Sequence, residues 1–234
     1  MDQITKFNPD EDKLNLKHKY TIELYKSHYN PEMYELIHDY ESNVHRRKPD
    51  SMNEKFVKDF MAMSPLYDPQ DPDAANAPSE WEGSLEFKDS MELNDLKNAM
   101  KINRAQYPPN AGSYHMYHRI DGELVAIGVC DITEKYFNSA YFIYKSKYAY
   151  LNLGVVGAII EIEFCRKLSQ LWAPNLQYYH LGELVLDCPK VNYKMNYQPG
   201  QVLCPYTKEW APFDQAKPEI LKLMNMKKNE KLLY

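Results

Sequence analysis

The stretch GSYHMYHRIDGELVAIGVCD, residues 112–131, decides the fold. At its centre stands Asp121-Gly122, a pair suited to a two-residue hairpin turn. Residues 113–119 ahead of the turn are Tyr-rich, and residues 124–130 behind it form an apolar run. The pattern predicts two paired strands, the second buried. Residues 140–144, Ala-Tyr-Phe-Ile-Tyr, add a third strand of β-branched and aromatic side chains. After Asn152-Leu153-Gly154 a long helix is expected, with Val155, Ile159, Ile162, Cys165, Leu168 and Trp172 on one face. Residues 177–181 and 184–186 read as shorter strands. Strands, one long helix, then strands again make an α+β layout around a central sheet.

Upstream, residues 1–29 are polar and mixed, with weak helical periodicity around Leu14 to Tyr25. Asn30-Pro31-Glu32 supplies a helix cap, a first-turn proline and an acid at the positive helix end. Met33, Ile37, Tyr40 and Val44 then repeat at helical spacing, and Pro49 closes the segment. Ser51 and Glu54 form a capping box before a second amphipathic helix bearing Phe56, Val57, Phe60 and Met61. Residues 65–80, rich in proline, predict a loop, and a further helix is expected near residues 91–102.

The chain has 234 residues, 44% of them hydrophobic and 26% charged, which is the balance of an ordinary globular protein. The longest apolar stretch, residues 153–160, is too short to span a bilayer, so no transmembrane segment is expected. Charge is uneven. Residues 1–100 carry 12 Lys/Arg against 21 Asp/Glu, whereas the remainder is net basic. An acidic whole argues against nucleic-acid binding, but the basic C-terminal part leaves that class open. Cys130, Cys165, Cys188 and Cys204 include no CxxC pair, so neither zinc ligation nor a disulfide framework is expected. A reducing compartment fits, and the first residues carry no targeting signal, which points to the cytoplasm. The alternative is an organellar or cytoskeletal assembly.

Phosphate-loop, nucleophile-elbow and HExxH motifs are missing from the sequence. Polar residues within otherwise buried strands remain. His115, His118 and Arg119 stand beside Tyr114 and Tyr117. Each has a bland reading as a solvated or hydrogen-bonded side chain and a sharper one as part of a cleft. Asp131 ends an apolar strand, as a turn cap or as a base or cation receptor at a cleft edge. Gly154 opens the long helix, where free N–H groups favour an anion. Glu161 and Glu163 follow, and at least one of them must face solvent. Lys190 and Lys194, four apart among tyrosines, make either an anion platform or a proline-stiffened surface loop.

At these residues the chain resembles the C-terminal, catalytic-type domain of arginyl-tRNA–protein transferases. The resemblance runs through Glu23-Leu24-Tyr25, Tyr40, Val44-His45, Lys48-Pro49, Ser51, Phe56, Phe60 and Ser64-Pro65-Leu66. It continues at Gly112-Ser113-Tyr114-His115, Arg119, Asp121-Gly122, Gly128-Val129 and Asp131. It then takes in Tyr141-Phe142, Tyr144, Leu153-Gly154, Glu161-Ile162, Tyr178-Tyr179, Gly182 and Cys188-Pro189-Lys190. Tyr193-Lys194, Tyr197, Pro199, Leu203-Cys204-Pro205 and Trp210 complete it. The family implies a GNAT-like acyltransferase fold over residues 30–215, with residues 1–29 as an extension and 216–234 as a Lys-rich tail.

The chain departs from the family at several points. Residues 1–22, ahead of the matching residues, hold none of the clustered cysteines of the family's N-terminal region. His115-Met-Tyr-His-Arg119 stands for the usual HQQYR, Tyr144-Lys145-Ser146 for Tyr-Asp-Pro, and Val185-Leu186-Asp187 for Ile-His-Ser.

The resemblance implies transfer of arginine from Arg-tRNA, as co-substrate, to the N-terminal amine of proteins starting with Asp or Glu. An α-amine with a pKa of about 8 is partly neutral at pH 7, so positioning can supply much of the acceleration. No cofactor and no metal are implied. Asp131 and His115 are the expected catalytic residues. Arg119 would receive the acceptor carboxylate, and Tyr117, Tyr144, Gly154, Lys190 and Lys194 complete the expected substrate-binding set. The alternative expectation is a catalytically degenerate domain serving as a subunit of a larger protein assembly.

Overall fold

A computed structural model describes residues 18–48, 51–63, 66, 84–86, 112–171, 173–188 and 191–230. The expected loop over residues 65–80 and the helix near residues 91–102 lie outside these, apart from Leu66. The chain divides into two compact units, Met1–His180 and Leu181–Tyr234.

In the first unit the strands are β1 (Tyr20–Lys26), β2 (Ser84–Glu86), β3 (Gly112–Ile120), β4 (Glu123–Ile132), β5 (Tyr136–Tyr144) and β6 (Tyr178–His180). Among the described residues they form one six-stranded sheet in the order β2-β1-β3-β4-β5-β6. Every pair is antiparallel except β5 with β6. Helix α1 (Pro31–Asn43), the short α2 (Glu54–Val57) with its wide turn Lys58–Ala62, and α3 (Leu153–Leu171) complete the unit. This is the expected α+β, GNAT-like architecture.

The hairpin forms where expected, with Asp121 and Gly122 at φ of 50° and 85°. The aspartate tolerates this left-handed conformation and the glycine adopts it freely. Period-two alternation then sends β3 side chains to opposite faces. Tyr114 and Met116 join Cys130, Phe137, Phe164, Cys165 and Leu168 beneath α3. Tyr117 joins Ile127, Ile143, Met33, Leu36, Ile37, Val57 and Met61 beneath α1 and α2. One helical layer on each face buries both sides of the sheet.

Four expectations change. Tyr20–Lys26, read as weakly helical, is a strand with Ile22 and Leu24 buried, so the sheet begins ahead of residue 30. Its period of two is hidden because Tyr25 and Glu23 alternate with only two aliphatic residues. Asn53, not Ser51, caps α2: its Oδ1 accepts from Phe56 N at 2.8 Å, while Ser51 Oγ donates to Lys48 O. On α3 the buried stripe is Leu153, Ala158, Glu161, Phe164, Cys165 and Leu168, and Val155 and Ile159 are exposed. The Phe142 ring occupies the space over Gly157, which sets the helix phase through a glycine rather than a large apolar residue. Residues 184–186 form no strand.

The second unit holds a short helical turn Asn192–Asn196, the hairpin β7 (Gln201–Leu203) with β8 (Trp210–Pro212), and α4 (Phe213–Glu230). The segment expected as a Lys-rich tail is thus largely helical.

Candidate active site

Four polar residues lie in direct register across four neighbouring strands. Ser113 on β3 faces Asp131 on β4, Asp131 faces Asn138 on β5, and Asn138 faces His180 on β6. Residues in register share a face, so their side chains touch in sequence. Ser113 Oγ donates to Asp131 Oδ1 at 2.5 Å, and Asn138 Nδ2 donates to Asp131 Oδ2 at 3.1 Å. His180 Nδ1 lies 2.7 Å from Asn138 Oδ1. Ser113 and Asp131 are buried and His180 is exposed, so the row connects the interior of the sheet to solvent.

The row ends at an irregular place in the sheet. The parallel pairing of β5 and β6 covers only Tyr136↔Tyr178, Phe137↔Tyr179 and Asn138↔His180. Beyond Asn138, β5 has no strand partner on its outer side among the described residues. Register between β4 and β5 slips between Val129↔Tyr141 and Cys130↔Ser139, leaving Ala140 as the extra residue of a bulge. The bulge lies in the middle of β5, just past the carboxyl end of β6, and bulges are over-represented beside active sites.

Beneath this end of the sheet lies Glu161, fully buried on α3. Tyr179 Oη donates to its Oε2 at 2.6 Å, and the Ser139 hydroxyl is a second side-chain donor to the carboxyl. Burial pushes the carboxyl up to about 7. Glu163 is the solvated one of the two helix acids, paired with Arg166 and Lys167.

His115 lies on the same face as Asp131, one step further along β3. Its Nε2 is 2.8 Å from Met61 O, an atom that only accepts, so Nε2 carries the proton. Nδ1 has no partner among the described residues, and desolvation lowers the ring to about 4, so it is neutral near pH 7. Tyr117 follows, stacked on His115 with centroids 6.1 Å apart, its Oη accepting from Asn30 Nδ2 at 2.7 Å. Burial raises the Tyr117 phenol above its ordinary range. Both belong to the packed side of the face.

Arg119 is at the far end of β3. Six residue steps along the strand separate it from Ser113, roughly 20 Å at the usual rise per residue. Its Nη1 and Nη2 donate to Glu32 Oε1 and Oε2 at 2.7 and 2.9 Å, and Nε donates to Glu23 Oε2 at 3.0 Å. The guanidinium is therefore filled by two carboxylates of its own chain. Arg119 and Asp131 do not converge on one acceptor residue in this structure.

The remaining expected residues scatter. Tyr144 packs edge-on against Tyr40 at 5.0 Å. Gly154 is the second residue of α3, with open space where a Cβ would stand. In the second unit Lys194 Nζ donates to Glu183 O at 2.8 Å, and burial lowers its pKa. Lys190 lies outside the described residues. Asn138, Tyr179 and His180 were not singled out as site residues from the sequence. Each becomes visible only through strand register, which a sequence does not display.

The model of the family described as arginine-tRNA-protein transferase, C terminus, matches residues 32–204. The chain belongs to this family. It is 35% identical over 202 residues to arginyl-tRNA–protein transferase 1 of Arabidopsis thaliana, covering 86% of this chain and 27% of that protein. It is 32% identical over 177 residues to arginyl-tRNA–protein transferase 1 of Drosophila melanogaster, covering 76% of this chain and 33% of that one. A shorter match, 31% identical over 90 residues, is to the aspartate/glutamate leucyltransferase of Campylobacter jejuni, covering 38% of this chain and 35% of the enzyme. The chain thus spans about a third or less of the length of these arginyltransferase relatives.

In this transferase-family domain the Tyr144-Lys145-Ser146 departure is structurally absorbed. Ser146 donates through its backbone N and its Oγ to Asp39, at 2.5 and 3.0 Å, and Lys145 pairs with Glu123 at 2.7 Å. Among the described residues no helix is long and apolar enough to cross a membrane.

Proposed function

We propose that this domain transfers arginine from Arg-tRNA to the N-terminal amine of proteins, with the sheet end around Asp131 as the reaction region. The observation that carries the reading is the Ser113–Asp131–Asn138–His180 row, which reaches solvent beside the β5 bulge in a family named for this reaction. The chemistry is attack of a neutral α-amine on the aminoacyl ester carbon, with release of the ribose oxygen. Such a reaction depends on positioning and on removal of one proton from the amine.

Acidic acceptors fit this reading, because a related enzyme carries aspartate/glutamate in its name and the C-terminal part of this chain is net basic. Lys190 and Lys194 are proposed for phosphate or acceptor contacts. Arg119 is a weaker choice for the acceptor carboxylate, since Glu32 would have to leave it first. The cytoplasm is the proposed compartment.

The filled guanidinium also favours a second reading, a non-catalytic subunit of a protein assembly. One experiment separates the two. Labelled arginine on charged tRNA is offered, with this chain, to a peptide starting with Asp and to one starting with Gln. Asp-dependent transfer is expected. No transfer, together with firm co-purification in a large complex, would establish the subunit reading instead.

A further inference from the structure

We propose that the open edge of β5 past Asn138 receives the N-terminal segment of the acceptor protein as an added strand, parallel to β5. The place of this surface rests on the sheet geometry, and the identity of its occupant rests on the transfer reading. Strand β5 runs through Tyr136–Tyr144, but β6 covers only its first three residues, the last pair being Asn138↔His180. Among the described residues, the backbone of residues 140–144 pairs with β4 alone. In an antiparallel pair, alternate residues turn their N–H and C=O groups away from the partner. This edge therefore presents donors and acceptors with no strand to take them. The bulge at Ala140 bends β5 just past the last β6 pair, and the regular residues 141–144 lie open beyond it. Natural sheets commonly guard an edge with charge or proline. Residues 139–144, Ser-Ala-Tyr-Phe-Ile-Tyr, hold neither, a composition that suits a strand with a neighbour.

The pattern of the edge selects its occupant. Alternating backbone donors and acceptors match another polypeptide main chain, whereas the phosphates of a nucleic acid only accept. The edge also starts where the row through Asp131 and Asn138 ends, so a peptide on it lies beside the proposed reaction region. An acceptor amine placed at that end leaves one course for the residues behind it, from Asn138 toward Tyr144. That course is parallel to β5, as β6 is. The first residues of most proteins are loosely held and free to extend. Main-chain pairing reads no side chain, so it suits an enzyme whose proposed acceptors share only their first residue.

Side-chain preference along the edge then has a period of two. Tyr141 packs on the α1 side of the sheet, where the Phe60 ring stands edge-on to it with centroids 5.1 Å apart. Phe60 is 46% exposed. An added residue opposite Tyr141 shares that face and meets the exposed ring, so an apolar side chain fits there.

Two measurements on the whole chain test the surface. The first is amide hydrogen exchange of residues 140–144 with and without a six-residue peptide starting with Asp. At a peptide concentration about ten times its Kd, exchange of the outward amides should slow about tenfold. The second is the peptide KM in the transfer assay, for a series methylated at one backbone nitrogen after another from the second residue on. Methylation at alternate residues should raise KM about tenfold, through one lost hydrogen bond and the clash of the methyl group. Methylation at the residues between should leave it within about twofold. Loss without that period, or no loss at any position, overturns the added strand. Exchange that slows with chain concentration but not with peptide assigns the edge to a second copy and overturns it too. Slowing by uncharged tRNA but not by peptide does the same. A chain that transfers arginine and shows no protection by the peptide overturns the surface alone. Protection by the peptide in a chain that transfers nothing keeps the surface and overturns the transfer reading. Neither transfer nor protection overturns both.

Discussion

Glu161 Oε1 lies 2.5 Å from the point where a side chain on Gly128 would place its Cβ. The buried carboxyl of α3 rests on the bare backbone of β4, and the glycine makes that approach possible. The aromatic residues beside it enforce the same closeness, since Phe142 fills the space over Gly157. Gly128→Ala should push Glu161 away from Tyr179 and cost about 1–3 kcal/mol, the usual range for overpacking. Urea unfolding of the wild type and the variant measures this directly. An unchanged midpoint and slope would mean that the helix yields freely and that the contact is not a constraint.

The same carboxyl sets an alkaline trend in stability. Desolvation raises Glu161 to about 7 from an ordinary value of 4.5. Between these values the folded chain keeps a proton that the unfolded chain has lost, so the contribution of Glu161 to stability falls as pH rises through the window. The loss amounts to about 3 kcal/mol when complete, near pH 8. Glu161→Gln keeps an oxygen for Tyr179 but cannot ionise. Its stability relative to the wild type should rise as pH goes from 5 to 8, because it lacks the carboxyl whose contribution is lost over that range. Parallel curves for the two proteins would show that Glu161 ionises in the fold without penalty.

Two histidines act in the opposite sense at acid pH. Burial lowers His115 to about 4 and His118 to about 3, from an ordinary 6.5. Below pH 6.5 the unfolded chain binds protons that these rings refuse in the fold, so stability rises with pH from about 3–4 up to 6.5. Glu161 opposes this with one proton against two, and the net slope stays positive. His118→Gln should flatten the acid limb of a plot of unfolding free energy against pH and leave the alkaline limb in place. An unaltered acid limb would assign it to other groups.

Most of the fold was legible wherever a local rule governs it. Asp121-Gly122 marked the hairpin, Asn30-Pro31 the start of α1, and residues 124–130 the buried strand, because turns, caps and apolar runs are short-range features. The phase of α3 was not legible. Gly157 and Glu161 face inward there, and neither is counted by an apolar periodicity, whereas Val155 and Ile159 are counted and face out. The site was half legible. Asp131 and His115 could be picked out as polar groups in apolar strands, and they do share a face. Asn138 and His180 could not, because what makes them notable is the residue opposite, and register is set by a bulge at Ala140 that no local motif announces.

Arg119 gives the sharpest contrast between a binding role and a structural one. Its guanidinium joins β3 to Glu23 on β1 and to Glu32 in the first turn of α1, and it also donates to Gly122 O at 3.2 Å. The ion pairs hold the Glu32 carboxyl below its ordinary value, chiefly through the hydrogen bonds from Arg119. Arg119→Ala would leave two carboxylates close together without their cation, at a cost of about 1–3 kcal/mol. Arg119→Lys would keep the charge and lose the forked geometry, so it should recover only part of that stability. If the residue is structural, both variants lower the melting temperature in that order, and the ratio of transfer to Asp-start over Gln-start peptides stays as in the wild type. If it receives the acceptor carboxylate, the ratio collapses toward one in Arg119→Ala. The lysine variant then retains some preference, and Glu32→Gln sharpens it by clearing the fork. The roughly 20 Å of strand between Arg119 and the Asp131 row favours the first outcome.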